Sequence, residues 1–244
     1  MDNDTGSIGG IKNPPPATRK LYYASIIFDA LGLLLCLAAG WQILLLVAGY
    51  VTFSKAYSWH GIRLKRYSYL AWLSVAAFQG GYTFLMANMA AEGQYSANWF
   101  TAGHLEAMLI ASILLGGSYP LTQIYQHKED AASGDRTLSL RLGIKGTFVF
   151  SGLSFFLGAL LFLHYFSKYY SSLHFVVFLL CLSPVIIYFT SWFLKANKDK
   201  NEASFERTMR MNQVSSICMA GCFTILLYIN LPYINVIWPG QFSR

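Results

Sequence analysis

Long apolar runs with almost no charged residues alternate with short polar connections along nearly the whole chain. Seven runs are visible, at 21–39, 42–58, 69–91, 99–120, 147–166, 173–194 and 212–231. A helix needs about 20 apolar residues to cross a hydrocarbon core about 30 Å thick, so such runs are typical of membrane spans. Only 12% of the 244 residues are charged, whereas soluble domains carry about a quarter. The pattern predicts an all-α polytopic transmembrane bundle of about seven helices, with 1–244 as a single domain.

Lysine and arginine are concentrated in alternate connections. Fifteen of the 18 basic residues lie before the first run or in the connections after the second, fourth and sixth runs. Basic connections favour the cytoplasmic face of a membrane. We therefore expect a multi-pass protein of the cell membrane with these connections in the cytoplasm. The net charge of +7 is then explained by anionic membrane lipid, and nucleic acid is not expected as a partner.

Acidic residues are gathered on the same predicted side. Five of the eleven acids lie at the extreme N-terminus or in the connection YQHKEDAASGDRTLSLRLG, residues 125–143. Carboxylates facing a polar cavity suit Mg²⁺, which takes a few protein oxygens and keeps positions for phosphate and water. The alternative interpretation is a frayed terminus and a solvated loop that balances its own basic residues. The candidate metal ligands are Asp2, Asp4, Glu129, Asp130 and Asp135.

A dense basic cluster, Arg63, Lys65 and Arg66, lies in the connection between the second and third runs. The planar guanidinium of arginine and the compact charge of lysine both suit phosphate. The alternative interpretation is an anchor to the membrane surface. Lys55, near the end of the second run, either reaches the surface along its own apolar stem or points at the same anion.

Metal-binding acids and a basic cluster at one end of an apolar bundle indicate a particular chemistry. An enzyme that ionises a prenyl diphosphate needs Mg²⁺ and basic side chains to neutralise the departing diphosphate. An apolar bundle can house the prenyl tail and keep water from the allylic cation. The expected cofactor is Mg²⁺, and the expected partners are a prenyl diphosphate, a lipophilic or aromatic acceptor and membrane lipid.

At these residues the chain resembles the UbiA family of membrane prenyltransferases. The family carries a D-x-x-x-D motif followed by a glycine and a T-L-x-x-x-L-G ending. In this chain Asp130 takes the place of the second aspartate, and Gln126 stands where the first would be. The ending is matched by Thr137, Leu138, Leu142 and Gly143.

Two further segments carry the resemblance. The connection YSWHGIRLKR is similar to the family's Y-S-x-x-x-x-R-L-K segment. The resemblance implies that this connection helps to bind the diphosphate. The N-terminal DNDTGSIGGIKNPPP looks like the tail of the family's first acidic motif, with Asp2 in place of its inner aspartate and Asp4 beside it. The motif's opening asparagine is absent. We therefore expect a member that lacks the first two of nine helices.

The resemblance implies Mg²⁺-dependent transfer of a prenyl group from a prenyl diphosphate to an aromatic or lipophilic acceptor. Asp130, Asp2 and Tyr125 are the expected catalytic residues. An inactive truncated paralogue or a non-catalytic membrane partner is the alternative. A small-solute transporter is disfavoured because transporters usually place their polar groups at the membrane midplane. The expected substrate-binding residues are Arg63, Lys65, Lys55, Tyr57 and Gln126.

Overall fold

The structure, a computed structural model, describes residues 10–16, 18–59, 61, 64–92 and 100–237, with only the backbone described for Lys65 and for 231–237. These residues contain helices and no strand, as predicted. The helices are α1 (Arg19–Ala39), α2 (Trp41–Ser58), α3 (Ser68–Val75), α4 (Thr83–Glu92), α5 (Ala102–Thr122), α6 (His127–Ser133), α7 (Leu138–Tyr169), α8 (Ser172–Lys198) and α9 (Phe205–Ile237). A π-helical segment, Ala76–Tyr82, joins α3 to α4, and 3-10 turns form at Leu64–Arg66 and Lys200–Glu202.

Six helical segments of the described residues are long and apolar enough to cross a membrane. They are α1, the continuous rod Ser68–Glu92, α5, α7, α8 and the Phe205–Asn230 part of α9. The seventh predicted span is present as α2, an 18-residue helix with Lys55 in its last turn. The prediction of a multi-pass helical membrane bundle is confirmed.

The chain divides into two compact units, Met1–Leu161 and Phe162–Arg244. The second unit is built mainly on the pairing of α8 with α9. In it Trp192 is buried, and its indole N–H donates to the carbonyl of Glu202 at 2.8 Å. All the candidate site residues that the structure describes belong to the first unit. The single domain over 1–244 stays a prediction.

The first unit begins with the helical hairpin that the sequence predicts. Helix α1 ends at Ala39, and the Gly40 N–H donates to the carbonyls of Cys36 and Leu37 before α2 begins. No residue of α1 is buried. In contrast, Ile43 of α2 joins a small apolar core with Leu85 and Met89 of α4.

The π-helical segment and α5 are the most closely packed pair in the first unit. A Cβ atom on Gly80 would lie 2.6 Å from the Cα of Ser112, so this contact requires glycine. The Gly81 N–H donates to the Ser112 hydroxyl at 3.0 Å, and the Trp72 indole donates to the Gly116 carbonyl at 2.8 Å. These contacts fix the axis of α5, whose end leads into the acidic connection.

Helix α7 is interrupted near its start. Gly143 has φ 67° and ψ 176°, which is not helical and lies in a region of φ that side chains with a Cβ rarely adopt. The turn Leu138–Leu142 is therefore separate from the membrane helix that follows. The sequence predicted this run from residue 147, whereas the structure adds the turn before the break.

Candidate functional site

The acidic connection forms a short helix with fixed ends. Helix α6 spans only seven residues, and the Asp130 N–H donates to the Gln126 carbonyl at 2.9 Å. Gly134, at φ 72°, ends the helix, as its position in the sequence predicts. The Asp135 N–H then donates back to the Asp130 carbonyl at 2.9 Å. The backbone thus folds Asp135 against the helix that carries Asp130.

Asp130 is oriented by a neutral hydroxyl group. The Thr137 Oγ1 donates to Asp130 Oδ2 at 2.9 Å and accepts from the Leu140 N–H at 3.3 Å. Thr137 therefore caps the first turn of α7 and holds the carboxylate of α6 with the same atom. A hydroxyl donor directs a carboxylate without neutralising its charge.

Three carboxylates of this connection surround two tyrosines. Asp130 and Asp135 both act electrostatically on the Tyr119 hydroxyl near the end of α5. Glu129 and Asp130 act in the same way on Tyr125. Asp135 is buried, whereas Glu129 is exposed. The structure therefore brings together the three predicted acids of this loop in one cluster.

Tyr57, which the sequence predicts as a substrate-binding residue, contacts Tyr119 beside these carboxylates. The Tyr57 and Tyr119 hydroxyl oxygens are 2.6 Å apart and share a hydrogen bond, which joins the end of α2 to the end of α5. Tyr57 also borders a small cavity of about 30 Å³ between α2 and the rod Ser68–Glu92. The cavity is lined by Tyr50, Phe53, Ser54, Tyr57, Ser74, Val75, Phe78 and Gln79.

Two groups of the acidic connection have perturbed protonation. Burial, followed by the charges of Glu129 and Asp130, raises the pKa of the Tyr125 phenol above its ordinary value of 10.0. Tyr125 therefore keeps its proton at neutral pH. Burial lowers the pKa of His127 below its ordinary value of 6.5, which favours the neutral ring.

The basic connection is joined to the acidic one by main-chain and side-chain contacts. Tyr67 forms an isolated parallel bridge with Arg136, and the Ser68 hydroxyl donates to the Arg136 carbonyl. The turn Leu64–Arg66 directly precedes this bridge. Lys65 is thus placed by its backbone near the acids, while Arg63 lies outside the described residues.

Lys55 lies in a different environment from the other predicted diphosphate ligands. Its Nζ is 2.7 Å from Asp29 Oδ2, so α1 and α2 are joined by an ion pair. Both side chains are partly exposed. The structure does not place Lys55 with the acidic cluster. Asp2 and Asp4 lie outside the described residues.

Sequence reasoning missed three residues near the acids: Tyr119, Thr137 as the hydrogen-bond donor to Asp130, and His127. Tyr119 lies in an apolar run, and its hydroxyl contact joins residues 62 positions apart. Thr137 was visible only as a motif match, although a threonine at the start of a helix is a common N-terminal cap. His127 contacts Ser139, and no spacing pattern signals that contact.

The residues present fit a partial Mg²⁺ shell rather than a complete protein cage. Within the described ranges, no group of three or more His, Cys, Asp or Glu side chains could hold a metal ion. Mg²⁺ usually takes one or two carboxylates and completes its shell with phosphate and water. Asp130 and Asp135 are the residues that would hold such an ion, since they offer carboxylate oxygens of the kind Mg²⁺ prefers. In addition, the Gln123 Oε1 is buried and accepts no hydrogen bond from any residue in the described ranges.

These features define a class: a helical membrane protein with a polar, carboxylate-rich site at one end of its bundle. The model of the UbiA prenyltransferase family matches residues 17–214, which is most of the chain. The chain therefore belongs to the UbiA prenyltransferase family, whose members are membrane prenyltransferases that generally use Mg²⁺-bound diphosphate substrates. Neither the curated proteins nor the solved structures gave a significant match.

Proposed function

We propose that this protein is a Mg²⁺-dependent prenyltransferase that moves a prenyl group from a prenyl diphosphate to an aromatic or lipophilic acceptor. The observation that carries the proposal is the contact between the basic connection and the connection that holds Glu129, Asp130 and Asp135. Tyr67 and Ser68, next to the basic turn, contact Arg136, and Arg136 lies between Asp135 and Thr137. A ligand that carries both phosphate and a divalent cation suits such a place.

In this proposal the diphosphate lies between the two connections. Asp130 and Asp135, with Glu129 at the exposed rim, hold the metal side of the ligand. Bound Mg²⁺ supplies neutralisation of the charge that builds on the diphosphate. Arg63 and Lys65 contact the remaining phosphate oxygens, as the sequence predicts. Asp2 and Asp4 are proposed to hold a second metal ion, and Gln126 to contact the ligand from the start of α6.

Prenyl transfer breaks one bond and forms another. The bond between the first prenyl carbon and the diphosphate oxygen breaks, and the oxygen keeps the electron pair. The acceptor then bonds to that carbon and releases a proton. Protonated Tyr125 donates to the departing oxygen, since its proton is retained at neutral pH. The hydrogen-bonded Tyr57 and Tyr119 lie beside the carboxylates, at the start of the apolar bundle.

The cavity beside Tyr57 is proposed to receive the first carbons of the prenyl chain. The rings of Phe53 and Phe78 are stacked with centroids 3.5 Å apart, and Tyr50 lies near them. Aromatic faces attract cations, so this wall suits an allylic cation as the diphosphate departs. The cavity of about 30 Å³ must widen to admit the chain.

The test uses the full chain in lipid nanodiscs with Mg²⁺, labelled prenyl diphosphates and a panel of acceptors. Diphosphate release is measured beside product formation, so that an unsuitable acceptor does not hide ionisation. Asp130→Asn is expected to lower both rates about 100-fold, because it removes a charge that holds the metal. Asp199→Asn, in the second unit, is the matched control and should leave both rates within about threefold.

Unchanged turnover in Asp130→Asn would exclude the role given to this carboxylate. A wild-type chain that neither binds nor cleaves any prenyl diphosphate, with or without Mg²⁺, would favour the alternative of a non-catalytic membrane protein.

A further inference from the structure

A chain of buried polar side chains connects α6 with α7 on both sides of the Gly143 break. His127 Nε2 is 2.8 Å from Ser139 Oγ, and Ser139 Oγ is 3.0 Å from Thr147 Oγ1. Thr147 Oγ1 donates to the Gly143 carbonyl at 2.8 Å. Ser139 and Thr147 are fully buried. The prenyl-transfer proposal assigns no role to these contacts.

The direction of each hydrogen bond in this series follows from its last acceptor, the carbonyl of Gly143. A carbonyl only accepts, so the single Thr147 proton is used for the carbonyls of Gly143 at 2.8 Å and Ser139 at 3.3 Å. Thr147 can then only accept from Ser139, whose own proton is thereby used. Ser139 can in turn only accept from His127. The arrangement that satisfies all three contacts therefore requires a proton on Nε2 of His127.

We propose that His127 is a positioning residue: its Nε2–H holds α6 on the buried hydroxyls of α7 and so sets the direction of the Asp130 carboxylate. A seven-residue helix is too short to be stable by itself, so its orientation depends on its contacts. Asp130 has a second attachment at Thr137. The contacts of His127 with Ser139 and of Asp130 with Thr137 lie three residues apart on α6. Together they prevent α6 from rotating about its axis.

The proposal rests on the proposed function for its effect on catalysis, but its structural part can be tested alone. His127→Gln keeps an N–H donor at nearly the distance of Nε2, whereas the shorter His127→Asn places its donor near the position of Nδ1. Asn and Gln are both neutral amides. They therefore form a matched pair that differs mainly in whether the donor can reach Ser139.

Kinetics in nanodiscs should separate the two variants. We expect His127→Asn to raise the KM for Mg²⁺–prenyl diphosphate about tenfold, the effect of one hydrogen bond, with a smaller change in kcat. His127→Gln should restore KM to within about threefold of the wild type. Ser139→Ala should resemble His127→Asn, and the double variant His127→Asn/Ser139→Ala should be no worse than either single variant. Equal defects in the Gln and Asn variants would overturn the proposal.

Two measurements do not depend on activity. Nitrogen-15 NMR of histidine-labelled protein should show a proton on Nε2 of His127; a ring protonated only on Nδ1 would overturn the proposal. Amide hydrogen exchange over 127–135 should be faster in His127→Asn than in His127→Gln. If both results hold and the wild type still cleaves no prenyl diphosphate, the proposed function fails while the positioning role of His127 stands.

Discussion

Asp29 and Asp130 are carboxylates of the same unit that are held in different ways. Asp29, within α1, is paired with the ammonium of Lys55 at 2.7 Å. Asp130, in α6, accepts from the neutral hydroxyl of Thr137 at 2.9 Å. The ammonium neutralises Asp29, whereas the hydroxyl gives Asp130 a direction and leaves its charge in place. The ion pair ties α1 to α2, while the hydroxyl of Thr137 fixes the direction of the Asp130 carboxylate.

The comparison also separates residues that the sequence grouped together. Lys55 was predicted with Arg63 and Lys65 as a diphosphate ligand, but its partner in the structure is Asp29. Lys55 and Asp29 both lie on helices of the predicted membrane spans, and their ion pair joins α1 to α2. We therefore expect large effects on catalysis from the acidic connection and small effects from the α1–α2 pair.

The sharpest contrast comes from removing one carboxylate charge in each region. Asp135→Asn is expected to lower kcat/KM for prenyl diphosphate about 100-fold, because this buried acid lies beside Tyr119 in the proposed metal site. Asp29→Asn should change it by less than about threefold. The kcat/KM of both variants is measured in nanodiscs over a series of Mg²⁺ concentrations. A defect of equal size in Asp29→Asn would end the distinction between the two regions.

The hydroxyl that orients Asp130 should matter by an intermediate amount. Thr137→Val keeps the shape but removes the donor to Asp130, so we expect kcat/KM to fall about tenfold. Thr137→Ser keeps the donor and serves as the control, with a loss below about threefold. Steady-state kinetics at saturating Mg²⁺ give the ratio. Equal rates for the valine and serine variants would show that this hydrogen bond does not serve catalysis.

The ion pair of the hairpin should be visible in stability rather than in turnover. Lys55→Met leaves Asp29 without its partner inside a membrane-spanning helix and should lower the free energy of unfolding by about 2 kcal/mol. The double variant Lys55→Met/Asp29→Asn should recover most of that loss. Thermal unfolding in matched lipid is the measurement. If Lys55 binds diphosphate instead, KM will rise in both variants, whatever residue occupies position 29.

The smallest effect concerns the pH profile. The pKa of Tyr125 is raised above 10.0, so its hydroxyl stays largely protonated as the pH rises from 7 to 9. Tyr125→Phe should therefore lower kcat by about threefold at every pH in that range, without changing the shape of the profile. Rates measured in steps of half a pH unit test this. An alkaline decline near pH 9 that disappears in Tyr125→Phe would contradict it.

The sequence predicted the helices well because apolar run length is a property of neighbouring residues. It placed the start of the α7 run nine residues late, since the turn Leu138–Leu142 carries Arg141 and does not extend an apolar run. Gly134 was a readable helix end. Charge pointed to the acidic connection, and the metal-binding role of its three acids stays a prediction.

The contacts that the sequence did not predict join residues that are distant in the sequence. The bond between Tyr57 and Tyr119 depends on how α2 meets α5, and nothing local distinguishes Tyr119 among the chain's 16 tyrosines. The pairing of Lys55 with Asp29 likewise depends on the crossing of α1 and α2. The roles of Asp2, Asp4, Arg63 and the Lys65 side chain stay predictions.

The bridge between Tyr67 and Arg136 is made by main-chain groups. Such pairing tolerates changes of side chain at both positions, since every residue except proline offers the same amide and carbonyl. Either residue can therefore be exchanged freely during evolution while the two polar edges stay in register. A proline introduced at Tyr67 would remove the N–H that donates to the Leu64 carbonyl, and so would loosen the turn that leads into the bridge.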